Sequence, residues 1–592
     1  MSYREFNPKY YKSEFSLIFA ELLKLEKPSS KKLRKILSKY PKDGSQIFSK
    51  DQLIEGFKYL KQEGFLGPEQ SLPPLLQMKP TRSISGVTVV TVLTKPFPCP
   101  GKCIFCPNDI RMPKSYIASE PGAQRALKNR FNPYSQVYNR LKALHQIGHP
   151  TDKIELLVLG GTWSYYPKKY QIWFIKECFR ALNDFDPEKI KAIDITLPNK
   201  HFDVQDNRLN RHLRNKLREQ SYNKLVKSNE YFDLFGRYIT SDENATWDEL
   251  FIEQKGNETA NSRCVGLVLE TRPDMLNPSQ VMDLRKLGAT KIQIGVQTLD
   301  EYVNRKNKRM ETKRQIAQAF KLLRLAGFKI HAHIMPNLYL ATPEKDIDTY
   351  KELFHSLDFK PDELKIYPTS IIANTKLDEL YKQGKHKPYD LDTLTEILAE
   401  CISITPEYCR LTRIIRDIPS HEINAGNKIT NLREIVEEKL NQEGRSNRNI
   451  RNREIQNRVV SIEDLHLDIQ NYQTSVSTEK FLQFITRDDK IAGFLRLSLP
   501  KSKNKHVISE ELTNAAIIRE VHVYGPSLSI GKSSQGQAQH IGLGTKLINY
   551  ASNIAQKEGY SKLSVISAIG TKSYYRKKGF KDGRFYQHLL FN

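Results

Sequence analysis

The stretch Gly86-Val-Thr-Val-Val-Thr-Val-Leu-Thr94, with the nearby motif Cys99-Pro-Gly-Lys-Cys103-Ile-Phe-Cys106, decides the fold of this chain. The first part is a nearly continuous apolar run, which is typical of a strand buried on both faces of a parallel sheet. The C-x3-C-x2-C motif follows at the carboxyl end of that strand, where the loops of an α/β barrel build the active site. Three thiolates at this spacing can hold a cubane cluster and leave one iron without a protein ligand.

The cysteine motif therefore predicts a 4Fe-4S cluster held by Cys99, Cys103 and Cys106. Its open iron would chelate the amino and carboxylate groups of S-adenosylmethionine. A zinc knuckle is the alternative, but it needs a fourth Cys or His nearby, and neither residue type occurs between 107 and 144. The total of seven cysteines is odd and argues against a disulfide framework.

Further β-rich runs follow the first one and predict the rest of a parallel sheet. They are rich in Val, Ile and Leu and span 153–160, 264–271, 291–298, 329–335 and 363–369. Segments with helical apolar spacing lie between them, for example 313–326. Six β/α units in this order predict an α/β fold with an open, partial (β/α)6 barrel. The polar interval 201–262 predicts an insertion on a barrel loop.

Polar and glycine motifs fall at the ends of these predicted strands. In chain order they are Gly160-Gly161-Thr162, Glu270-Thr-Arg-Pro-Asp274, Gly295-Val-Gln297, His331 with His333, and Lys365 with Tyr367. Glycines at a strand end let the backbone approach a ligand closely. A single motif of this kind is more often structural, but several together at one end of a barrel favour a binding site.

A different pattern begins after residue 475 and predicts a separate α+β domain. Antiparallel strands are predicted at 481–485, 491–499 and 516–524. The turn Gln539-His-Ile-Gly-Leu-Gly544 then enters a helix, and such a turn presents backbone N–H groups to a pyrophosphate, as in acetyl-CoA-dependent N-acetyltransferases. Tyr574 and Tyr575 follow on a later helix, where either a thioester contact or simple aromatic packing of Tyr574 fits the pattern.

Composition limits the function classes. The 592 residues carry a net charge of +26 with 39% hydrophobic residues, which excludes a disordered or collagenous chain. The basic excess favours a polyanionic partner such as nucleic acid, although a basic proteome gives the same composition. The sequence has no apolar run long enough for a membrane span and no signal-peptide pattern at its start, so we predict a cytoplasmic protein without membrane contact.

We predict four regions along the chain. They are a basic helical N-terminal region (1–80) that binds tRNA, the barrel (81–400), a basic linker (401–460) and the C-terminal acetyltransferase domain (461–592). Lys31, Lys32 and Lys35 lie around the apolar positions of the N-terminal helix. Together with Arg445, Arg448 and Arg451 of the linker, these lysines are predicted phosphate contacts. The alternative is that these charges only keep the protein soluble.

The whole pattern resembles the catalytic subunit family of Elongator, the tRNA wobble-uridine acetyltransferases, in its stand-alone prokaryotic form. Besides the cysteine motif, the matching stretches are 79–87, 130–134, 160–162, 257–260, 264–274, 294–297, 364–369, 416–419, 431–434, 519–525 and 570–579. The resemblance implies a radical-SAM barrel fused to a GNAT-like acetyltransferase domain. It covers most of the chain, and this pairing of domains is highly specific.

The resemblance implies a reaction and a set of binding residues. A 5′-deoxyadenosyl radical made from S-adenosylmethionine activates the methyl group of acetyl-CoA, and the product is 5-carboxymethyluridine at the wobble position of the tRNA anticodon stem-loop. The implied acetyl-CoA contacts are Lys153, Glu520, Val521, His522, Val523, Leu543, Gly544, Thr545 and the catalytic Tyr575. For S-adenosylmethionine, we expect contacts from Gly160, Gly161, Thr162 and Gln297. The electron donor stays unassigned, and the assembly considered is a homodimer.

Two features depart from the family pattern. The first two cluster cysteines are closer together than is usual in the family, which should leave ligation intact. The family linker usually binds zinc through cysteines, whereas this chain has Asn447, Asn449 and Asn452 at the corresponding positions. Neutral amides are poor substitutes for thiolates on zinc, so we predict that the linker holds no zinc.

Two rival functions stay open at this point. One is a protein lysine acetyltransferase in which the iron–sulfur barrel is only structural. The other is a radical-SAM enzyme whose C-terminal domain merely binds coenzyme A. The basic surface and the polar groups at the strand ends favour the tRNA function over both.

Overall fold

A computed structural model describes residues 6–25, 29–43, 46–67, 70, 72–73, 75–76, 86–190, 222–229, 231, 240–456, 458, 460–502, 508–524 and 542–591. Residues 201–221, 230 and 232–239 of the predicted insertion at 201–262, the motif residues 79–85 and the first part of the glycine turn, 539–541, lie outside the described residues. Within the described part of the chain, every helix is too short or too polar to traverse a bilayer.

The N-terminal region is a small helical unit with its own apolar core. It contains a 3-10 helix (Pro8–Tyr11) followed by α1 (Lys12–Leu22), α2 (Ser30–Lys39) and α3 (Lys50–Gln62). Helix α2 begins where the Ser29 side chain accepts a hydrogen bond from the Lys32 backbone N–H, which is a standard N-cap. Its apolar residues Leu33, Ile36 and Leu37 are buried in the helical unit. The predicted basic helix is confirmed, and Lys31, Lys32 and Lys35 lie on its exposed face.

The barrel is a curved sheet of seven parallel strands. Along the chain, the strands of this region are β1 (Thr88–Leu93), β2 (Lys153–Leu159), β3 (Arg263–Thr271), β4 (Lys291–Gln297), β5 (Lys329–Ile334), β6 (Glu363–Ile366), β7 (Ile371–Ile372), β8 (Arg410–Arg413) and β9 (Ile423–Ala425). The sheet order is β1-β2-β3-β4-β5-β6-β8, and each neighbouring pair is parallel. Strands β7 and β9 form a separate antiparallel pair. All six predicted strands are confirmed.

The seventh parallel strand, β8, corrects the strand count of the predicted (β/α)6 barrel. It lies in the segment 401–460 that we assigned to a basic linker, and it pairs with β6 through Glu363 opposite Arg410 and Leu364 opposite Leu411. The strand has only four residues, and two of them are arginines, so it lacks the apolar run that is typical of the other strands. Leu411 is fully buried, so the strand belongs to the barrel core.

The helices of this region lie between and after the strands. In chain order they are α4 (Pro121–Lys128), α5 (Pro133–Gln146), α6 (Lys168–Asp184), α7 (Tyr222–Leu225), α8 (Trp247–Asn257), α9 (Pro278–Lys286), α10 (Glu301–Lys306), α11 (Lys313–Leu325), α12 (Pro343–His355), α13 (Lys376–Lys382), α14 (Leu391–Ser403), α15 (Leu432–Gln442) and α16 (Ile450–Arg453). Short 3-10 helices lie at Trp163–Tyr165, Pro273–Met275 and Ser420–Glu422. The predicted helix at 313–326 is confirmed as α11, which buries its apolar stripe against the sheet.

The C-terminal region contains the second large sheet. Its strands are β10 (Leu465–Gln473), β11 (Ser477–Thr486), β12 (Ile491–Pro500), β13 (Ala515–Val523), β14 (Lys562–Val565), β15 (Lys581–Asp582) and β16 (Gln587–Leu590). The remaining elements are α17 (Leu543–Lys557), α18 (Lys572–Arg576) and 3-10 helices at Glu510–Leu512 and Ile569–Thr571. Strand β10 begins before residue 475 and is an addition to the three predicted strands, which are confirmed. The β13–β14 pair is parallel within an otherwise antiparallel sheet.

A network of buried ion pairs joins the two sheets. The guanidinium of Arg519 on β13 donates two hydrogen bonds to Asp362, which precedes β6, at 2.6 and 2.7 Å. Arg519 also pairs with Glu479 at 2.8 Å, and Arg496 pairs with Glu520 at 2.8 Å. On the barrel side, Lys329 contacts Glu520 at 2.5 Å. The side chains of Arg519 and Asp362 are completely buried, so the two sheets share one interior.

A bulge in β13 allows two consecutive side chains to reach this network. Arg496 of β12 lies opposite Glu520, whereas the next residue, Leu497, lies opposite Ile518. Arg519 is therefore the extra residue of a β-bulge, which re-aims side chains relative to the regular alternation of a strand. Without the bulge, Arg519 and Glu520 would point to opposite faces of the sheet.

Charge balance in the network depends on Asp362. Burial opposes its ionisation, but the guanidinium charges of Arg519 and Arg496 outweigh this effect and hold the pKa of the Asp362 carboxyl well below its usual range. Because the folded-state pKa lies below the unfolded one, the carboxylate stabilises the fold above the unfolded pKa, and this stabilisation is lost as the pH falls.

We expect Asp362→Ala to lower the free energy of unfolding by about 3–5 kcal/mol, because it leaves buried guanidinium groups without their counter-charge. Thermal unfolding followed by circular dichroism measures the effect. Asp488→Ala removes the partner of Arg458 in an ion pair whose side chains are 57% and 58% exposed, and it should lower the melting temperature far less. Equal shifts for the two variants would contradict the central role of the buried pair.

Candidate active site

The three motif cysteines lie on the loop that follows β1, at the carboxyl end of the barrel strands. This loop is fixed at several points: the Cys99 backbone N–H donates to Asn223 at 3.0 Å, and the Ile104 N–H donates to the Asn307 carbonyl at 3.1 Å. Cys99 and Cys103 are partly exposed, and Cys106 is buried. The structure thus confirms that the loop lies at the strand end predicted for the active site.

Polar hydrogens and a positive charge surround the cysteine sulfurs. The Gly101 backbone N–H donates to the Cys99 Sγ at 3.4 Å, and the Ser115 hydroxyl lies 2.9 Å from the Cys106 Sγ. The Arg309 guanidinium donates to the Cys103 Sγ at 3.9 Å. Hydrogen bonds to thiolate sulfurs are the usual surroundings of an iron–sulfur cluster and tune its potential. This donor set fits the group that the cysteine spacing predicts.

The surroundings of Cys106 combine burial with a nearby cation. Burial raises the pKa of the Cys106 thiol, while the Lys114 ammonium acts in the opposite direction. Among the described residues, no three His, Cys, Asp or Glu side chains converge closely enough to enclose one metal ion. A cubane cluster spreads its ligands over separate irons and therefore needs a wider spacing of the thiolates than a single ion does.

The glycine motif after β2 lies directly beside the cysteine loop. Gly160 has φ +150°, and a Cβ there would lie 1.8 Å from the Thr94 hydroxyl oxygen, so only glycine fits. Two residues later, the Thr162 hydroxyl lies 3.5 Å from the Cys99 Sγ. The predicted S-adenosylmethionine contacts Gly160, Gly161 and Thr162 therefore border the predicted cluster.

Gln297 carries an unpartnered polar atom at the end of β4. Its backbone has φ +68°, which is rare for a residue other than glycine, and its side-chain Oε1 is buried without a hydrogen-bond donor. A buried acceptor of this kind is costly unless a ligand supplies the donor. The Arg309 guanidinium, which faces Cys103, also donates to the Gly295 carbonyl two residues before Gln297. Gln297 is thus connected to the cysteine loop through one arginine.

Arg272, which belongs to the predicted strand-end motif, and Glu311, which the sequence analysis did not select, extend this site. Glu311 contacts both Arg309 at 2.9 Å and Arg272 at 3.0 Å. Arg272 lies so close to the cysteine loop that a Cβ at Gly101 would be 2.3 Å from its guanidinium. Burial opposes the charge on Arg272, but the hydrogen bond to Asp274 and the charge of Glu311 raise its pKa. The predicted strand-end motif 270–274 therefore supports the loop.

The barrel interior between its two ends is lined by polar side chains. His333 lies 3.1 Å from Gln293, which accepts a hydrogen bond from Lys365 at 2.6 Å. His331 faces Glu363 at 3.2 Å. Burial lowers the pKa of both His331 and His333 well below the usual histidine range, so both rings are neutral at physiological pH. These predicted strand-end residues form one interior network rather than a set of separate ligands.

The predicted acetyl-CoA contacts lie at the opposite, amino-terminal end of the barrel strands. Lys153 begins β2 and is paired in register with Arg263, against which Gly570 of the C-terminal domain packs closely. The Glu520 side chain belongs to the buried ion network, and His522 is flanked by the rings of Phe494 and Tyr524. Burial lowers the pKa of His522 to about 4, so this ring is neutral.

The glycine turn and the two tyrosines meet at the start of α17. Gly542 precedes Leu543 with φ +72°, and a Cβ at Gly544 would lie 2.7 Å from the Tyr574 hydroxyl oxygen. Tyr574 is 41% exposed, whereas Tyr575 is 7% exposed and packs against Phe580. Sequence reasoning selected Tyr575 and kept packing as an alternative for Tyr574. In the structure, Tyr574 is the ring that borders Gly544 and Thr545.

The linker asparagines are bonded to each other. The Asn449 side chain donates to the Asn447 Oδ1 at 2.6 Å, and the Asn452 side chain donates to the Asn447 carbonyl at 2.7 Å. Asn449 Oδ1 also caps α16 by accepting from the Arg451 N–H at 3.1 Å. These amides therefore hold the local turn, and a zinc-free linker remains a prediction.

Two of the linker arginines that we predicted as phosphate contacts are paired with carboxylates of the protein. Arg445 pairs with Glu396 and Glu400 at 2.8 and 2.7 Å. Arg448 pairs with Glu407 at 2.7 Å. Carboxylates of the protein neutralise both guanidinium groups, so Arg445 and Arg448 are no longer expected to be primary phosphate contacts. Lys31, Lys32 and Lys35 of α2, which are exposed, stay predicted phosphate contacts.

If Cys99, Cys103 and Cys106 hold one cluster, anaerobically reconstituted protein should contain about four irons per chain. Changing all three cysteines to alanine should abolish the iron and its visible absorption. The matched control changes Cys178, Cys401 and Cys409, which are buried away from the loop, to serine or alanine. Equal iron content in the loop variant and the parent protein would contradict the assignment.

Comparisons with known proteins agree with this geometry. The Radical SAM superfamily profile matches residues 240–353, and the Radical SAM C-terminal domain profile matches residues 361–442. The second match spans β8, the strand that sequence reasoning missed.

Similar proteins cover most of the chain. The tRNA uridine(34) acetyltransferase of Methanocaldococcus jannaschii is 35% identical over 86% of this chain and 85% of the relative. Elongator complex protein 3 of Saccharomyces cerevisiae is 32% identical over 87% of this chain and 85% of the relative. The solved structure of the archaeal Methanocaldococcus infernus Elp3, with an N-terminal deletion, aligns with a TM-score of 0.65 at 30% identity and covers 86% of this chain and 99% of that one. The protein therefore belongs to the radical SAM family of Elongator complex protein 3 and the tRNA uridine(34) acetyltransferases.

Proposed function

We propose that this protein modifies the wobble uridine of tRNA to 5-carboxymethyluridine, with acetyl-CoA as the carbon donor. The observation that supports the proposal is that two candidate sites lie toward opposite ends of one barrel in a single chain. The cysteine loop and the Gly160–Thr162 turn lie at one end of the barrel. A second domain with the glycine turn of an N-acetyltransferase is joined to the other end by buried ion pairs. The lysine acetyltransferase rival gives the first site no chemical role, and the second rival gives the bound coenzyme no part in the reaction.

The residues at the carboxyl end of the strands suit a cluster with bound S-adenosylmethionine. A cluster of this type supplies reductive cleavage of S-adenosylmethionine to a carbon radical. The protein would hold it through Cys99, Cys103 and Cys106. Gly160 lets β2 pack closely on Thr94 and so places the Gly160–Thr162 turn beside the cysteine loop, and the free Gln297 Oε1 can accept a hydrogen bond from the amino group of the bound cofactor. The Arg309 guanidinium, hydrogen-bonded to Cys103, stabilises negative charge on the thiolate.

The residues of the second domain suit coenzyme A. The backbone N–H groups at Leu543, Gly544 and Thr545 begin α17, where the helix dipole and unpaired amides favour a pyrophosphate. The edge of β13 at Val521 and His522 extends past the residues that pair with β14, Ala515–Ile518, and can offer main-chain hydrogen bonds to the coenzyme. Lys153 is a suitable cation for the coenzyme phosphates. Tyr575 is the proposed catalytic contact by resemblance, and Tyr574 is the exposed ring next to Gly544.

The proposal predicts a specific nucleoside product. Purified, iron-reconstituted protein should convert tRNA to a product containing 5-carboxymethyluridine when it is given S-adenosylmethionine, acetyl-CoA and a reductant. Mass spectrometry of the digested tRNA measures the product. Omission of either small molecule should abolish it. Acetylation of protein lysines without any change in tRNA would favour the lysine acetyltransferase function instead.

The basic face of α2 is the proposed contact for tRNA phosphates. Lys31, Lys32 and Lys35 are exposed on this face. Changing all three to glutamine should weaken binding to different tRNAs about equally, because phosphate contacts carry no base specificity. Each lost contact should reduce the slope of log K against log salt by roughly 0.7–0.9. Filter-binding titrations at several salt concentrations measure both effects, and an unchanged slope would show that the lysines serve only solubility.

A further inference from the structure

A groove lies where the outer face of the barrel meets the C-terminal domain, toward the amino-terminal ends of β3 and β4. We name it the aromatic groove. It encloses about 370 Å³ between α8 and α9 on the barrel side and the turn that connects β15 to β16 on the other side. Trp247, Phe251 and Phe585 provide its aromatic walls, and Lys286, Lys572 and Arg584 are its main cations. This volume lies in the range of small-molecule sites.

The aromatic walls are arranged as a stacking platform. The rings of Trp247 and Phe251 are stacked, with centroids 6.0 Å apart and planes at 24°. Phe251 is 37% exposed, and Trp247 is partly exposed. Trp247 and Phe585 pack against the core on one side and also line the groove. Exposed aromatic faces next to cations are the elements with which proteins bind unpaired bases, because every base has a π-face.

The charges around the platform favour a polyanion. The lining carries five cationic side chains and one carboxylate, that of Glu258. Lys255 and Lys572 are already paired with Glu258, as is Arg576 beside the groove, and Arg285 donates to backbone carbonyls. Lys286 and Arg584 are therefore the lining cations best placed to contact a phosphate. The Lys286 ammonium lies 5.6 Å from the Trp247 ring centroid, and the Arg584 guanidinium lies 5.2 Å from that of Phe585. Lys286 and Arg584 are therefore each held next to an aromatic face. There they can contact the phosphate of a nucleotide whose base is stacked on the aromatic ring.

The groove differs from the proposed coenzyme A site. Lys572 and Arg576, on one face of α18, point to Glu258, whereas Tyr574 on the same helix points to Gly544 at the start of α17. Helical positions 572 and 576 share a face, and 574 lies on the other side. The adenosine part of a coenzyme bound at Gly544 would thus approach from the other side of α18.

From this combination we propose that the aromatic groove binds a single-stranded nucleotide of the tRNA substrate, with its base stacked on Trp247 and its phosphates near Lys286 and Arg584. The inference rests on the proposed function, since it assigns a second contact to the same substrate. The groove would hold the RNA across the seam between the two domains, at a distance from the reacting base.

Tryptophan fluorescence gives a direct test. The chain has three tryptophans, and Trp163 and Trp173 are only 2% and 8% exposed, so Trp247 is the residue whose emission a stacked base can quench. An unlabelled single-stranded oligoribonucleotide should quench the emission of the full-length protein. An abasic ribose-phosphate strand of equal length should bind more weakly and leave the emission unchanged. Binding of both strands with no quenching would overturn the proposal.

Variants separate stacking from charge. Trp247→Ala should weaken binding of the oligoribonucleotide by about 5- to 150-fold, measured by anisotropy of a labelled strand, whereas Trp247→Phe keeps a stacking ring and should bind nearly as well as the parent. Arg584→Ala should reduce the salt slope by roughly 0.7. Tyr381→Ala, which removes a ring 38% exposed on α13, is the matched control and should change neither quantity. Equal affinities for Trp247→Ala and the parent would contradict the groove assignment.

The same measurements distinguish this inference from its competitors. Quenching by coenzyme A, with displacement of the oligoribonucleotide, would reassign the groove to the adenosine part of the coenzyme and overturn the proposal. Formation of the modified nucleoside without quenching would contradict the RNA site at the groove and leave the proposed function unaffected. Quenching without any modified nucleoside would contradict the proposed function while supporting an RNA site at the groove.

Discussion

The buried ion pair between Arg519 and Asp362 is the interaction on which the placement of both candidate sites depends. Its two charges are completely buried, and a buried charge that loses its partner is strongly destabilising. Sliding or rotation of one domain against the other would therefore expose Arg519 and Asp362 to solvent or separate them from each other. The bulge at Arg519 is the local device that makes the pair compatible with the neighbouring Glu520–Lys329 contact. A single extra residue in β13 thus allows both ion pairs that hold the two sheets together.

This constraint separates the two proposed chemistries by the length of a barrel strand. Lys153 begins β2 and Leu159 ends it, which is about 20 Å at 3.3 Å per residue. Between these ends, the interior is lined by alternating charges, such as Lys291 with Glu155 at 2.7 Å and Glu363 at 3.2 Å, instead of an apolar plug. Neutral His331 and His333 continue this lining toward the cysteine loop. Polar side chains thus line part of the barrel interior, from Lys291 to His333.

The sequence predicted those features that local patterns encode. Six strands had apolar runs that no helix period explains, and the C-x3-C-x2-C spacing located the cluster loop. Strand β8 was missed because Arg410 and Arg413 make its four residues look like a basic linker. The pairing of Arg445 with Glu396 and Glu400 was missed because those carboxylates lie on α14, well before it in the chain. Contacts between residues far apart in the chain leave no local pattern. The hydrogen bond from Arg309 to Cys103 was missed for the same reason.

The linker illustrates how directional bonds can fix a segment between two domains. Its Ile450 N–H donates to the Cys409 carbonyl beside β8, and its Ile455 N–H donates to the Ile491 carbonyl of β12, both at 3.1 Å. Glu454, between them, accepts from Arg410 at 2.7 Å and from Tyr524 at 3.2 Å. The segment is therefore bonded to both sheets within six residues. Because its asparagine amides already have partners in the same turn, the geometry of this connection follows from hydrogen bonds and ion pairs that the chain itself supplies.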